Sequence, residues 1–272
     1  MDELGGSGVK MTMMQNVPPR MVSGPATEID LSRAKPVTID PASLREERVI
    51  GFDPTDRDGR PFTLLRSRVL DLWRGQGRKL IGVTSASPSA GKSFIACNVA
   101  ASLATLPETR VALFDLDLRR GTVARNFGID PGAGLESYLT GKDDDLSGMG
   151  QKIEGLSLTL FPCTPVRGHS ASLVTGDLFE SLVAAMRMLP EDVLVICDLP
   201  PAFANDDAKL ICEKLDGYIL VAEDGITARK AVTAAMHFMK PSPLLGSVLN
   251  RAHLGLGDEY GYGSKAYSHY YD

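Results

Sequence analysis

The sequence predicts a doubly wound, three-layer α/β domain: a mostly parallel sheet with helices on both faces, over about residues 60–250. Three observations lead there. Apolar runs of strand length recur at 80–83, 111–114, 156–161, 193–197, 218–221 and 244–249. They are continuous rather than alternating, as strands buried on both faces are. Helix-length segments at 92–106, 176–188, 206–215 and 226–239 separate most of them, and right-handed crossovers return a chain to a parallel neighbour in this way.

Taken in chain order, residues 1–45 read as a tail, disordered or ordered only by a partner. They contain Gly5-Gly6-Ser7-Gly8, Val17-Pro18-Pro19 and Gly24-Pro25, without a sustained period of 3.6 or 2. Residues 46–78 read as a linker and an amphipathic helix, with Phe62, Leu65, Val69, Leu72 and Trp73 on one face. Residues 79–250 hold the strand–helix alternation, and 251–272 form a tyrosine-rich tail.

Composition narrows the function classes. A net charge of -5 with no basic block argues against nucleic acid as a partner. No apolar run approaches the ~18 residues of a membrane span. The start, Met1-Asp2-Glu3-Leu4, has no basic n-region or apolar core, so no secretory signal is expected. Cys97, Cys163, Cys197 and Cys212 lack CxxC or CxxH spacing and read as reduced packing residues. A cytoplasmic protein is expected, with any work at the inner face of the membrane done through a partner.

The first strand-like run leads into Ser85-Ala86-Ser87-Pro88-Ser89-Ala90-Gly91-Lys92-Ser93 and then an apolar helical segment. Such a turn directs backbone N–H groups and a helix N-terminus at phosphate oxygens. Lys92 would reach the β- and γ-phosphates and the Ser93 hydroxyl would hold Mg²⁺. The fold is therefore expected to be of the P-loop NTPase type, although Ala86 stands where the pattern GxxxxGK[ST] has its first glycine.

Two other strands run into acids, Asp115-Leu116-Asp117 and Asp198-Leu199-Pro200-Pro201. Ligands of open α/β sheets bind beyond the carboxyl ends of the strands, so these three carboxylates should share a crevice with Lys92. A carboxylate closing an apolar strand is costly unless a cation meets it. Mg²⁺ near Asp117 and Asp198 would do so, leaving Asp115 to accept a proton from an attacking hydroxyl.

The tail supplies hydroxyls of that kind. Five of the seven tyrosines, Tyr260, Tyr262, Tyr267, Tyr270 and Tyr271, lie there among glycines and charges. No buried helix or strand face explains that cluster. A phosphoacceptor set does.

With these residues in view, the chain resembles the bacterial protein-tyrosine kinases (BY-kinases), the tyrosine autokinases of capsule and exopolysaccharide synthesis, over about residues 60–272. The motifs that carry the resemblance are Ala90-Gly91-Lys92-Ser93, Asp115-Leu116-Asp117-Leu118-Arg119-Arg120, and Asp198-Leu199-Pro200-Pro201 followed by Asp207-Ala208. Gly134-Leu135, Asp216-Gly217 and Val248-Leu249-Asn250 look like further landmarks. The resemblance implies ATP and Mg²⁺ as cofactors, with Ser89, Ala90, Gly91, Lys92, Ser93 and Phe94 around the phosphates. Ser93, Asp117 and Asp198 would then stand at the metal, Asp115 would be the base, and Asn250 would contact the adenine. It also implies a homo-oligomer phosphorylating its tails in trans, a separate membrane-spanning activator or polysaccharide co-polymerase, and an opposing tyrosine phosphatase.

The family's usual Pro-Gly-Glu-Gly-Lys-Ser is Pro88-Ser89-Ala90-Gly91-Lys92-Ser93 here. Its ring-forming Glu-x-x-Arg-x-x-Arg helix survives only in part, with Arg60, Thr63 and Arg66 at the three positions. Two alternatives share the same motifs: a ParA/MinD-like ATPase switch, and a degenerate nucleotide-binding regulator docked on an export protein.

Overall fold

The computed structural model describes residues 28–252 apart from 54, 57 and 169, so the tyrosine cluster lies outside the described residues. In chain order the elements are β1 (Lys35–Val37), α1 (Pro41–Glu46), α2 (Arg60–Leu70), β2 (Leu80–Ser85), α3 (Lys92–Leu103) and β3 (Arg110–Asp115). There follow α4 (Val123–Asn126), α5 (Leu135–Leu139), α6 (Leu146–Met149), β4 (Gln151–Ile153), β5 (Leu158–Phe161) and α7 (Ser170–Val174). Last come α8 (Asp177–Met188), β6 (Val193–Asp198), α9 (Asp207–Cys212), β7 (Gly217–Glu223), α10 (Arg229–Phe238) and β8 (Leu244–Asn250).

The strands form one sheet in the order β1-β4-β5-β3-β6-β2-β7-β8. All neighbours are parallel except β4 and β5. Successive strand residues face opposite layers. In β6, Val193, Val195 and Cys197 join one apolar cluster, with α8 and α9. Leu194 and Ile196 join the other, with α2 and α3. This is the expected doubly wound, three-layer α/β architecture. The chain passes from β2 to β3 across β6, and from β6 to β7 back across β2. The carboxyl ends of β2, β3 and β6 therefore meet where the winding reverses, which is where such sheets bind ligands.

Several strands run farther toward these carboxyl ends than their apolar runs suggest. Backbone pairing continues where side chains turn polar, and Asp115 of β3 lies in register with Asp198 of β6. The segment 116–176 carries four short helices and β4, none long enough to show a period.

The larger difference lies in residues 28–45, which read in sequence as part of an unstructured tail. Lys35-Pro36-Val37 forms the edge strand β1 against β4, where a proline's missing N–H is tolerated. The side chain of Asp40 then caps α1, whose first residue is Pro41. This arm is tied to α3 by Asn98, which is fully buried. Its Oδ1 accepts from the N–H groups of Ile50 (2.7 Å) and Gly51 (2.8 Å), and its Nδ2 donates to the carbonyls of Arg48 (3.0 Å) and Phe94 (2.9 Å). Gly51 passes so close that a Cβ there would sit 2.1 Å from the Asn98 carbonyl oxygen.

Replacing Asn98 with Leu strands the N–H groups of Ile50 and Gly51 and the carbonyl of Arg48. We expect a loss of about 2–4 kcal/mol in urea unfolding, together with faster amide exchange at Ile50 and Gly51. Unchanged protection at those two amides would remove Asn98 as the anchor.

Candidate functional site

The loop between β2 and α3 gets its shape from two left-handed residues, Ser89 (φ 64°) and Gly91 (φ 95°). Asn250, the last residue of β8, donates Nδ2 to the carbonyl of Ala90 at 2.9 Å. A Cβ on Gly91 would lie 2.0 Å from that nitrogen. Glycine is thus required twice, by its backbone angle and by this contact. The two alanines that depart from the usual loop pattern do not fill the cradle: Ala86 and Ala90 are buried at 2% and 1% exposure.

For Gly91→Ala we expect about 1–3 kcal/mol of lost stability. Nucleotide affinity measured by calorimetry should fall about tenfold or more, equivalent to about 1.4 kcal/mol. Wild-type affinity in a folded variant would show that the Gly91–Asn250 contact does not shape the site.

Lys92 opens α3 with its ammonium group buried among acids. Nζ is 2.8 Å from Asp117 Oδ2, 3.2 Å from Asp198 Oδ1 and 3.0 Å from Ser93 Oγ. Ser93 donates to Asp198 Oδ2 at 2.5 Å, and the Thr122 hydroxyl donates to Ser93 at 2.9 Å. Asp115 adjoins Asp198 across the strand pair and accepts the Val123 N–H on Oδ2 at 2.8 Å. All three carboxylates are at most 1% exposed.

The titration of Asp115, Asp198 and Lys92 follows from this enclosure. Burial pushes Asp115 well above the usual carboxylate range, and the nearby charge of Asp198 adds to it. Burial likewise raises Asp198, against the opposing pull of Lys92 and Ser93. For Lys92 burial acts downward, but Asp198 and Asp117 outweigh it and hold the ammonium above its ordinary value.

The cluster fits a divalent cation. Three carboxylates face one ammonium here, and among the described residues Oδ1 of both Asp115 and Asp117 accepts no hydrogen bond. Among the described residues no group of three His, Cys, Asp or Glu forms a protein-only metal cage. Mg²⁺ in nucleotide sites needs none, because phosphates and water complete its shell.

Beside the cluster opens a cleft of about 700 Å³, walled by Ser89, Gly91, Lys92, Ser93, Phe94 and Asn250. That is within the size range of small-ligand sites. The Phe94 ring is held edge-on by Phe62 of α2, at 5.5 Å between centroids.

Lys92, Ser93, Asp117 and Asp198 thus form one contact cluster, with Asp115 beside it. Ser89, Gly91, Phe94 and Asn250 face the cleft, and Ala90 contributes a carbonyl. Tyr260, Tyr262, Tyr267, Tyr270 and Tyr271 lie outside the described residues. Three groups went unnoticed in sequence. Thr122 has no motif around it, Asn98 sits inside an apolar helix, and Arg48 belongs to the stretch 46–78 read as linker and helix.

No family model matches the chain. Among curated proteins, tyrosine-protein kinase YwqD of Bacillus subtilis is 29% identical over 226 residues, 81% of this chain and 92% of YwqD. Tyrosine-protein kinase CpsD of Streptococcus agalactiae is 26% identical over 210 residues, 75% of this chain and 89% of CpsD. Tyrosine-protein kinase etk of Escherichia coli is 28% identical over 173 residues, 63% of this chain but 23% of its own length. Among solved structures, the kinase domain of Escherichia coli ETK has a TM-score of 0.69 at 24% identity, covering 85% of this chain and 93% of that domain. MinD of Pyrococcus horikoshii, complexed with Mg-ADP, has a TM-score of 0.52 at 18% identity over 63% of this chain and 69% of its own. The resemblance to the bacterial tyrosine kinases read from the motifs is borne out, and so is the P-loop NTPase fold.

Proposed function

We propose that the chain is an ATP-dependent protein-tyrosine autokinase, which transfers the γ-phosphate of Mg-ATP to tail tyrosines of another copy. The observation that carries this reading is the buried cluster Lys92–Asp117–Asp198–Ser93, with the additional carboxylate of Asp115 beside it. Hydrolysis needs a metal ligand and an oriented water. A third strand-end acid gives a phenol, with its pKa near 10, a partner for its proton.

When bound, Mg²⁺ would be held by Ser93 and Asp198 with Asp117 close by, and it would neutralise charge on the phosphates. The ammonium of Lys92 would leave Asp117 and Asp198 and turn to the phosphates. Asp115 would take the phenolic proton as the tyrosine O–P bond forms and the bond from the γ-phosphorus to the β,γ-bridging oxygen breaks, with ADP leaving. Its raised pKa suits a base working near neutrality. Asn250, fixed on Ala90, would sit at the adenine side.

The relatives are named tyrosine-protein kinases, and the motif resemblance to the autokinases of capsule and exopolysaccharide synthesis supports regulation of that synthesis or export as the role. Among the described residues no helix is long and apolar enough to cross a membrane. In this reading a separate membrane-spanning activator recruits the protein to the inner face of the membrane, and a phosphatase resets the tail. The likeness to MinD supports a second reading, an ATP-driven switch that hydrolyses ATP without marking tyrosine.

Purified protein incubated with Mg-ATP, with and without a basic cytoplasmic peptide from a candidate activator, should acquire phosphotyrosine within residues 260–271 by mass mapping. A tail left unmodified under both conditions would end the kinase reading.

A further inference from the structure

The cleft wall carries more positive charge than a nucleotide requires. Besides Lys92 it includes Arg48, Arg119, Arg120, Arg125 and Arg251, against the single carboxylate of Glu47. Two of these arginines are engaged: Arg119 with Asp207 at 3.3 Å and Arg251 with Glu223 at 2.6 Å. Arg48, Arg120 and Arg125 are exposed and have no ion pair or side-chain hydrogen bond among the described residues.

They also come from separate parts of the fold. Arg48 is in the arm that Asn98 ties down, and its own carbonyl is one of the anchored groups. Its backbone is left-handed, at φ 61°, a conformation costly for arginine and held here by the buried Val49 and the Asn98 bonds. Arg120 lies in the turn after β3, and Arg125 is in α4. The phosphates already have Lys92 and the N–H groups of the loop, so these three positive charges remain for another anion.

The chain carries a matching anion next to one acceptor. Asp258-Glu259 immediately precedes Tyr260, whereas Tyr262, Tyr267, Tyr270 and Tyr271 have no acid in the two positions before them. The tail also starts at this cleft, since Asn250 and Arg251 both line it. Seven residues from Arg251 to Asp258 extend about 23–25 Å, enough to enter the cleft of an adjoining copy.

Building on the tyrosine-kinase reading, we infer that Arg48, Arg120 and Arg125 form an acceptor-recognition surface for acidic residues just ahead of the target tyrosine. Asp258-Glu259-Tyr260 is the acceptor this surface selects. Tyr260 is then modified first, and the other tyrosines follow.

Two measurements test this apart from catalysis itself. In the first, a fluorescent peptide of residues 253–264 is titrated with the full chain in Mg-ADP and followed by polarisation. The expected result is binding that weakens about tenfold when Asp258 and Glu259 are both changed to Lys, and that also weakens in high salt. Equal binding of the two peptides would overturn the inference whether or not the protein is a kinase.

In the second, site-resolved mass spectrometry follows the full chain after Mg-ATP addition. Tyr260 should lead in the wild type, fall behind in Arg125→Glu, and recover when Arg125→Glu is paired with Glu259→Lys. Nucleotide affinity should stay within about twofold in these variants, well under the tenfold step of 1.4 kcal/mol. An Arg125→Glu variant that loses nucleotide affinity as much as Tyr260 phosphorylation would assign the arginine to ATP instead. Simultaneous modification of all five tyrosines would also overturn the proposal. If the wild type makes no phosphotyrosine at all, the kinase reading fails, and the peptide titration still decides the surface.

Discussion

Replacing Lys92 with Met is expected to lower phosphotransfer by about 10²–10³-fold or more and to cost about 3–5 kcal/mol of stability at neutral pH. Both effects have one source. Among the described residues the ammonium group is the only cation in contact with Asp117 and Asp198, at 2.8 and 3.2 Å, in a space that admits almost no water. Methionine keeps the volume and removes the charge, leaving three buried carboxylates facing one another.

The stability loss should depend on pH in a definite direction. Burial already raises Asp115 and Asp198 above the ~3.9 of an unfolded aspartate. Losing Lys92 removes a charge that pulls both down. A group with a raised folded pKa binds more protons in the native state than in the unfolded one. Its destabilising effect is therefore absent below about pH 4 and grows as pH rises through the folded value. Urea unfolding should show the variant closest to wild type in mild acid and farthest from it above neutrality. A constant gap between the two proteins across that range would mean that Lys92 does not compensate the carboxylates.

Replacing Asp115 with Asn should separate chemistry from binding. The amide oxygen can still accept the Val123 N–H that Asp115 holds at 2.8 Å, and one buried negative charge disappears. The fold should be as stable as wild type or more so, with Mg-ADP affinity within about twofold. Phosphotyrosine formation should fall by about 10²–10⁴-fold, the usual contribution of a general base. A variant that transfers phosphate at the wild-type rate would take the proton-acceptor role away from Asp115. A variant that loses nucleotide binding in parallel would place Asp115 at the metal.

The sheet was legible because its strands are buried on both faces. Runs such as 193–197 are continuous, short and rich in β-branched residues, which favours a doubly buried strand over a helix. The cluster around Lys92 was legible because strand-end acids and a strand–loop–helix phosphate turn must converge at the reversal of winding.

Short elements were the hard part. β1 has three residues, one of them proline, and it exists only because β4 offers an edge. α4 to α7 span four or five residues each, too few for a period. Asn98 reads as one polar residue in an apolar helix, and only the folded chain shows that it holds four backbone groups. The arginines of the cleft come from the arm, the turn after β3 and α4, so no sequence window contains the set.

The fate of the γ-phosphate tests the central claim most directly. In a single turnover with γ-labelled ATP and Mg²⁺, the predicted result is label on tyrosines of residues 260–271, lost in Lys92→Met and strongly slowed in Asp115→Asn. Label recovered wholly as free phosphate, with unmodified tyrosines, would contradict it and make the protein an ATPase switch.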